Sequence, residues 1–261
     1  MIIGCTTAHE MWKKPLKEIL RDIEKAGIKF VQLTYEYPHL LKKKDVEVIK
    51  DFDFNYSMHG PFVHLLVSHL NPIIRKSFIK IIRKSVEIAE KVGAKEYVIH
   101  GGVIPGVYKR AIEKKGMDPR KYFIDIWIEE MKPIIENSSM NFLVENVKED
   151  EIFGKPEDYI YAKNKISNLG FCFDVGHAAA FGKIEDWVNF DANYFHFSDN
   201  DMKNDQHLAI GEGNIPFEKI FSVIENLRNP HKRKNVKIIL EMDLESCKRS
   251  IEKINEILSK I

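Results

Sequence analysis

Six acid or imidazole side chains in this chain stand at the ends of short apolar runs: His59, His100, Glu145, Asp174, His196 and Glu241. The runs cover residues 55–58, 97–99, 141–144, 170–173, 194–197 and 236–240. Runs of that length and content read as buried strands, which would deliver each of these groups to a strand's C-terminal end. A lone strand-end histidine is more often a satisfied structural residue than a ligand. Six such groups at the ends of successive strands ask for a common cause. Behind the 194–197 run, the segment 199–207 is too polar to be core, and its Asp205 and His207 are two residues apart. In an extended loop that spacing aims both side chains at one ion. Imidazole and carboxylate without thiolate suit Zn2+, Mn2+, Co2+ or Mg2+. A bare cluster of Glu145, Asp174 and Glu241 beside His196 would repel itself, and a cation among them removes that penalty while leaving positions open for substrate oxygens. The other histidines would bind further ions or hold substrate.

The elements that must position these groups alternate along the whole chain. A strand over 2–5 is followed by an amphipathic helix over 15–26, with Leu16, Ile19, Leu20 and Ile23 on one face and Gly27 beyond its end. A strand over 29–33, a loop and a short helix over 46–51 precede the strand that leads to His59-Gly60-Pro61-Phe62. Asn71 and Pro72 cap and open a long helix stopped by Gly93. After the His100 strand, residues 105–116 read as a loop before a helix over 119–137. Further helices are expected over 156–166, around Trp187, over 217–227 and over 244–261. Eight strand–helix units predict an α/β fold, a (β/α)8 TIM barrel built as one domain over residues 1–261. An open doubly wound sheet fits less well, because Gly4-Cys5-Thr6-Thr7 after the first strand lacks the glycine-rich phosphate fingerprint. In a barrel all strand C-termini meet on one face, so the six groups should converge.

Composition narrows the partners. The net charge is +1 with 30% charged residues, which gives no global basic field for nucleic acid. The one dense basic cluster, His231-Lys232-Arg233-Lys234, precedes a strand and should fall on the face opposite the site. Cys5, Cys172 and Cys247 are odd in number and widely spaced, which argues against a disulfide framework or a thiolate zinc site and for buried inert thiols. No apolar run approaches the ~18 residues of a membrane span, and Met1-Ile2-Ile3-Gly4 opens as a strand and not as a signal segment. A cytoplasmic protein is expected. No motif speaks to its oligomeric state.

The motifs together carry a family resemblance. Met58-His59-Gly60-Pro61-Phe62, Val98-Ile99-His100-Gly101-Gly102, Val144-Glu145-Asn146, Phe173-Asp174-Val175-Gly176-His177-Ala178, His196-Phe197-Ser198-Asp199-Asn200, Asp205-Gln206-His207 and Leu240-Glu241 resemble the xylose isomerase-like barrels. These include sugar isomerases and epimerases and the endonuclease IV class of apurinic endonucleases. Residue by residue, the resemblance implies nine metal ligands, His59, His100, Glu145, Asp174, His177, His196, Asp205, His207 and Glu241, and one to three divalent ions. It implies a sugar isomerase or epimerase that works through a metal-stabilised enediolate, with Glu145 and Glu241 as the proton carriers. His177 would orient a substrate hydroxyl and Phe62 would line the substrate site. The partner is then a small sugar or sugar phosphate. The alternative is metal-dependent cleavage of abasic DNA by the same cluster. Two departures bear on the choice. The loop after the second strand reads Thr34-Tyr35-Glu36-Tyr37-Pro38, and Phe62 stands where endonuclease members carry tyrosine, so the DNA-reading features are missing. Met202 stands where ketose 3-epimerases carry arginine. The loops around Tyr35 to Tyr37 and Phe62 offer aromatics and an acid, which suits a small neutral ring better than a polyanion.

Overall fold

In a computed structural model of the chain, which describes residues 1–188, 190, 192–226 and 236–260, eight parallel strands close into a barrel in sequence order. The strands are β1 (Ile2–Thr6), β2 (Phe30–Thr34), β3 (Asn55–His59), β4 (Glu96–Ile99), β5 (Asn141–Glu145), β6 (Gly170–Asp174), β7 (Tyr194–Phe197) and β8 (Lys237–Leu240). β8 returns to pair with β1 and closes the sheet. The cluster His231 to Lys234 lies outside the described residues, as do Leu227 and Ile261.

Side chains alternate across each strand, so one set faces the barrel axis and the other faces the helices. Phe30, Val98, Leu143, Cys172, Tyr194 and Ile239 form the buried inner layer. Beneath them, at the end where the strands begin, Lys237 Nζ pairs with Glu96 Oε1 at 2.5 Å. The outward-facing residues, among them Val31, Leu33, Tyr97, Phe142, Phe173 and Leu240, join the helices in one large apolar cluster. The interior is therefore a packed plug with a floor, and only its upper end is polar.

The helices follow the expected signals. α1 (Leu16–Lys25) buries Ile19, Leu20 and Ile23 and gives way to Gly27 at φ 74°, where the absence of a Cβ makes the left-handed turn cheap. α2 is Lys43–Lys50. α3 (Pro72–Lys91) begins with Asn71 Oδ1 accepting from the Ile73 amide, and α5 (Pro119–Glu136) with Asp118 accepting from Arg120 and Lys121. α6 (Pro156–Lys163), α8 (Ile184–Val188), α9 (Phe217–Asn226) and α10 (Leu244–Leu258) also stand where helices were expected. Two do not. α4 (Gly106–Glu113) occupies a stretch read as loop, and Ile112 alone is buried in it, so it carries no apolar period. α7 (Val175–Phe181) starts directly after the last residue of β6, where Asp174 Oδ1 accepts from the His177 amide at 2.6 Å. Its sequence, Val-Gly-His-Ala-Ala-Ala-Phe, is apolar nearly all round and shows no face. Strand ends also differ by one residue: β4 stops at Ile99 and β8 at Leu240, so His100 and Glu241 are the first residues beyond, and β7 runs one past His196. No helix among the described residues is long and apolar enough to cross a membrane.

Candidate active site

All six strand-end groups converge at the upper mouth, because closure and register leave them no other place. His59 lies beside Val98, Glu145 beside Cys172, and Asp174 beside His196 across their strand pairs. Asn146 locks two of the bearing strands together: its Nδ2 donates to the Asp174 carbonyl and its Oδ1 accepts from the Asp174 amide, both at 2.8 Å. Glu145 and Asp174 are thereby held side by side.

The remaining ligand candidates arrive on two local devices. The Asp174 cap starts α7 so that His177 comes back over the acid, with Nδ1 3.6 Å from Asp174 Oδ2. Asp205 and His207 ride on the loop after β7, which is organised around Asp199. That fully buried carboxylate accepts from the amides of Asn200 and Ile215 through Oδ1 and from those of Gly211 and Gly213 through Oδ2. A Cβ at residue 213 would lie 2.4 Å from both Asn200 O and Asp199 Oδ1, so glycine is sterically required there, and Gly211 at φ 91° sits where a Cβ is strained. His207 itself has φ 51°, an uncommon state for a residue with a Cβ, held by its Nδ1 bond to the Glu241 carbonyl at 2.7 Å.

Glu145 is the centre of the cluster. Its Oε2 lies 3.2 Å from His59 Nε2, 3.3 Å from His100 Nε2 and 3.2 Å from His196 Nδ1, and its Oε1 lies 3.1 Å from His177 Nδ1. His196 Nδ1 is also 3.2 Å from Glu241 Oε1 and 3.9 Å from Asp174 Oδ2. Asp205 Oδ2 lies 3.4 Å from both His177 Nε2 and His207 Nε2. Every one of the nine residues thus touches another. Two donor groups that share only Glu145 each have one atom per residue within 4.8 Å of all the others: Glu145, Asp174, His196 and Glu241 form the first, and His59, His100 and Glu145 the second. Cys172, buried below Asp174, also comes within that distance of Glu145 and His196, which the sequence reading of it as an inert core thiol did not anticipate.

The charge balance of this cluster is unusual. Burial opposes charge on Glu145, yet His196 and His100 hold its carboxyl well below the usual range. Burial raises Asp174 to about 7, a rise that His177 only partly offsets. For His177 and His196 burial favours the neutral form, and the neighbours overcome it: Asp174, Asp205 and Glu145 raise His177, while Cys172, Glu241 and Glu145 raise His196. His207 is raised to about 9 by Asp205 and Glu241 against its burial. Without a cation, then, protons on imidazole compensate the acids.

A cation fits this donor set better than protons do. His59, His177 and His207 each turn Nδ1 to a backbone carbonyl, of Gly60, Asn146 and Glu241, at 2.8, 3.0 and 2.7 Å. A carbonyl only accepts, so the proton sits on Nδ1 and the neutral ring presents a bare Nε2 to Glu145 or Asp205. Two lone pairs facing each other call for a positive centre between them, and an outer N–H bound to a carbonyl is the usual support of a metal-bound imidazole. Glu145 Oε1, His196 Nδ1 and Asp205 Oδ1 are moreover buried without a hydrogen-bond partner. The residues present would accommodate divalent cations.

Above the cluster opens a cavity of about 550 Å³. His59, His100, Glu145, His177, Asp205, His207 and Glu241 line its base, with Asp174 and His196 buried beneath. Phe62 stands over the base, its ring 5.2 Å from that of His59 and 5.8 Å from that of His100. The loop after β2 departs from expectation. Tyr35 is buried in the outer core, and Glu36 faces the β3 loop, accepting from the amides of Phe62 and Val63 at 3.3 Å each. The aromatic at the rim is instead Trp12, exposed and edge-on to Tyr37. His9 was also missed; its ring lies 4.7 Å from that of His207. Both residues come from the segment between β1 and α1, which has no motif and no period to reveal it. Lys148 is the one lysine or arginine among the described residues that line the cavity.

The sequence model of the xylose isomerase-like TIM barrel family matches residues 20–259 of this chain. MJ1614, an uncharacterized protein of Methanocaldococcus jannaschii, is 27% identical over 259 residues, covering 94% of each chain. Among solved structures, a D-tagatose 3-epimerase-like protein superposes with a TM-score of 0.84 at 23% identity, over 99% of this chain and 97% of its own. A Thermus thermophilus protein, from crystals soaked with ZnCl2, gives a TM-score of 0.75 at 17% identity, over 100% of this chain and 99% of its own. At these identities the structural likeness speaks to the fold.

Proposed function

The chain belongs to the xylose isomerase-like TIM barrel family, and from that premise we propose that it is a divalent-metal-dependent sugar isomerase or epimerase. The observation that carries this reading is the group of Glu145, Asp174, His196 and Glu241, whose donor atoms lie within 4.8 Å of one another at the base of a mouth that Lys148 alone supplies with a lysine or arginine among the described residues. Zn2+, Mn2+ or Co2+ held there would supply Lewis-acid polarisation of a carbonyl and its neighbouring hydroxyl. Asp174 and His196, buried and fixed from below, hold the site's geometry. Glu145 and Glu241 serve as proton carriers at the substrate carbon, one removing and one returning the proton. Glu241 is the more open of the two, with its side chain 12% exposed against 1% for Glu145. His177, fixed by Asn146, orients a substrate hydroxyl, and Phe62 provides an apolar wall for the ring. The epimerase-like neighbour supports this substrate class.

A second reading has its own support. His59, His100, His177, Asp205 and His207 add donors beyond those one ion needs, which is the arrangement expected for a multinuclear phosphodiesterase acting on abasic DNA. The mouth favours the sugar, because a polyanion calls for cations that Lys148 alone does not supply. Incubation with a panel of ketoses and ketose phosphates in heavy water with Mn2+, Co2+ or Zn2+ decides between them. Deuterium should appear next to the carbonyl, and incision of abasic duplex should be absent or far weaker. Metal-dependent incision without exchange in any sugar would overturn the proposal in favour of the second reading.

A further inference from the structure

Four of the cluster's imidazoles are held from behind, and one of them differs in kind. His59 and His207 direct Nδ1 outward to backbone carbonyls and Nε2 inward to the acids, and His177 Nδ1 lies between the Asn146 carbonyl and Glu145 Oε1 with its Nε2 toward Asp205. His196 is reversed. Its Nδ1 faces Glu145, Asp174 and Glu241, while its Nε2 points down into the barrel. There the strand carbonyls are engaged in the sheet and lie in its plane, so a side chain must do what a carbonyl does elsewhere. That side chain is Gln32, on the inner face of β2 and 0% exposed. Its Nε2 lies 2.9 Å from His196 Nε2 and donates to the Tyr194 hydroxyl at 3.0 Å, which in turn donates to Ser57 Oγ at 2.7 Å. The oxygen end is turned away and has no partner.

We infer that Gln32 is a positioning residue for the cation site: with its amide oxygen toward His196 it holds the proton on Nε2 and leaves the Nδ1 lone pair for a cation among Glu145, Asp174 and Glu241. The inference rests on the proposed cation reading. With the NH2 end toward the ring, Gln32 donates to Nε2 and forces the proton onto Nδ1, where it faces the acids and blocks an ion. A half-turn of the amide brings Oε1 to the same two contacts. It then accepts from His196 Nε2–H and from the Tyr194 hydroxyl, and Ser57 becomes the donor to Tyr194. Both arrangements use the same heavy-atom positions, so amide orientation and imidazole tautomer switch together. The neutral ring with its proton on Nδ1 and the cation-ready ring with its proton on Nε2 differ by that switch at this residue. Any side chain at position 32 that cannot accept should favour the form that excludes the ion.

The test compares Gln32→Met, which keeps the length and loses both polar ends, with Gln32→Glu, whose carboxylate only accepts. Zn2+ affinity is read by competition with a chromogenic chelator, and folding of the metal-free proteins by circular dichroism and thermal melts. Q32M should bind Zn2+ about 10–100-fold more weakly than wild type, the usual effect of losing an outer partner, and Q32E should stay within about threefold. In the Zn2+-loaded wild type, long-range 15N–1H spectra should show His196 with a protonated Nε2. Equal tight binding by wild type and Q32M, or an unprotonated Nε2 in the loaded wild type, overturns the inference while leaving the cation site standing. If Q32M does not fold, the wild-type spectrum decides alone. A wild type that takes up none of Zn2+, Mn2+ or Co2+ overturns the cation reading and this inference with it.

Discussion

Glu145 has four imidazole nitrogens within 3.3 Å and is 1% exposed, so its charge is tolerated only because positive groups surround it. Glu145→Gln keeps the shape and removes the charge. The variant should fold, because glutamine can still bond the same imidazoles, yet lose at least about 100-fold in turnover, the scale of a lost general acid or base. Steady-state rates alongside circular dichroism check this, and retained turnover in both E145Q and the matching Glu241→Gln would remove the two acids from the mechanism. The same residues set a pH dependence. In the metal-free protein His207 is raised from 6.5 to about 9 and Asp174 from 3.8 to about 7, so the folded state holds these protons more tightly than the unfolded chain. The stability they contribute is complete at low pH. It is lost from Asp174 as pH rises to about 7 and from His207 between 6.5 and about 9. The melting temperature of the metal-free protein should fall between pH 6.5 and about 9, and metal affinity should rise over the same interval as competing protons leave. Calorimetric melts with and without Zn2+ measure both; a flat profile in the metal-free protein would contradict the charge balance described above.

At the scale of elements, the loop from β7 to α9 is the one that would set nuclearity on the proposed cation reading. Asp199→Asn puts an amide against the Gly211 and Gly213 amides in place of an acceptor, and the buried mismatch costs about 1–3 kcal/mol. Because this loop carries Asp205 and His207, the variant should hold fewer ions per chain after metal loading, with the barrel still folded. Elemental analysis of wild type and D199N gives the count, and identical ion content would show that Asp205 and His207 act elsewhere. The loop also marks how far the sequence could be read. β3 to β8 and the groups at their ends were legible because parallel strands buried on both faces leave short apolar runs with a polar residue at the end. The nearness of Asp205 to His177 was not, since it depends on how Asp199 folds the loop. α7 stayed hidden because a capped apolar turn has no period. His9 and Trp12 stayed hidden because position alone, and not residue pattern, brings them to the mouth. Tyr35 and Glu36 were misjudged for the converse reason: an aromatic and an acid look like surface chemistry until packing turns one inward and bonds the other.

For the whole molecule, eight-fold closure gathers groups as far apart as His59 and Glu241 around one opening, and the same closure seals the other end. Phe30, Val98, Leu143, Cys172, Tyr194 and Ile239 fill the cross-section, and the Lys237–Glu96 pair lies below them. A native protein interior packed in this way passes neither hydrated ions nor sugars. Among the described residues the upper mouth is the way in, and on the proposed function traffic through it would have an order: an ion would be first in and last out, and a seated sugar would cork it. A resident sugar should therefore shield the ion from chelators. At a ketose concentration about ten times its dissociation constant, removal of bound metal by EDTA should slow about tenfold, in proportion to occupancy. Stopped-flow release of Zn2+ to a fluorescent chelator would register that delay even for a sugar that is bound and never turned over, making metal retention an assay for ligands that needs no knowledge of the product.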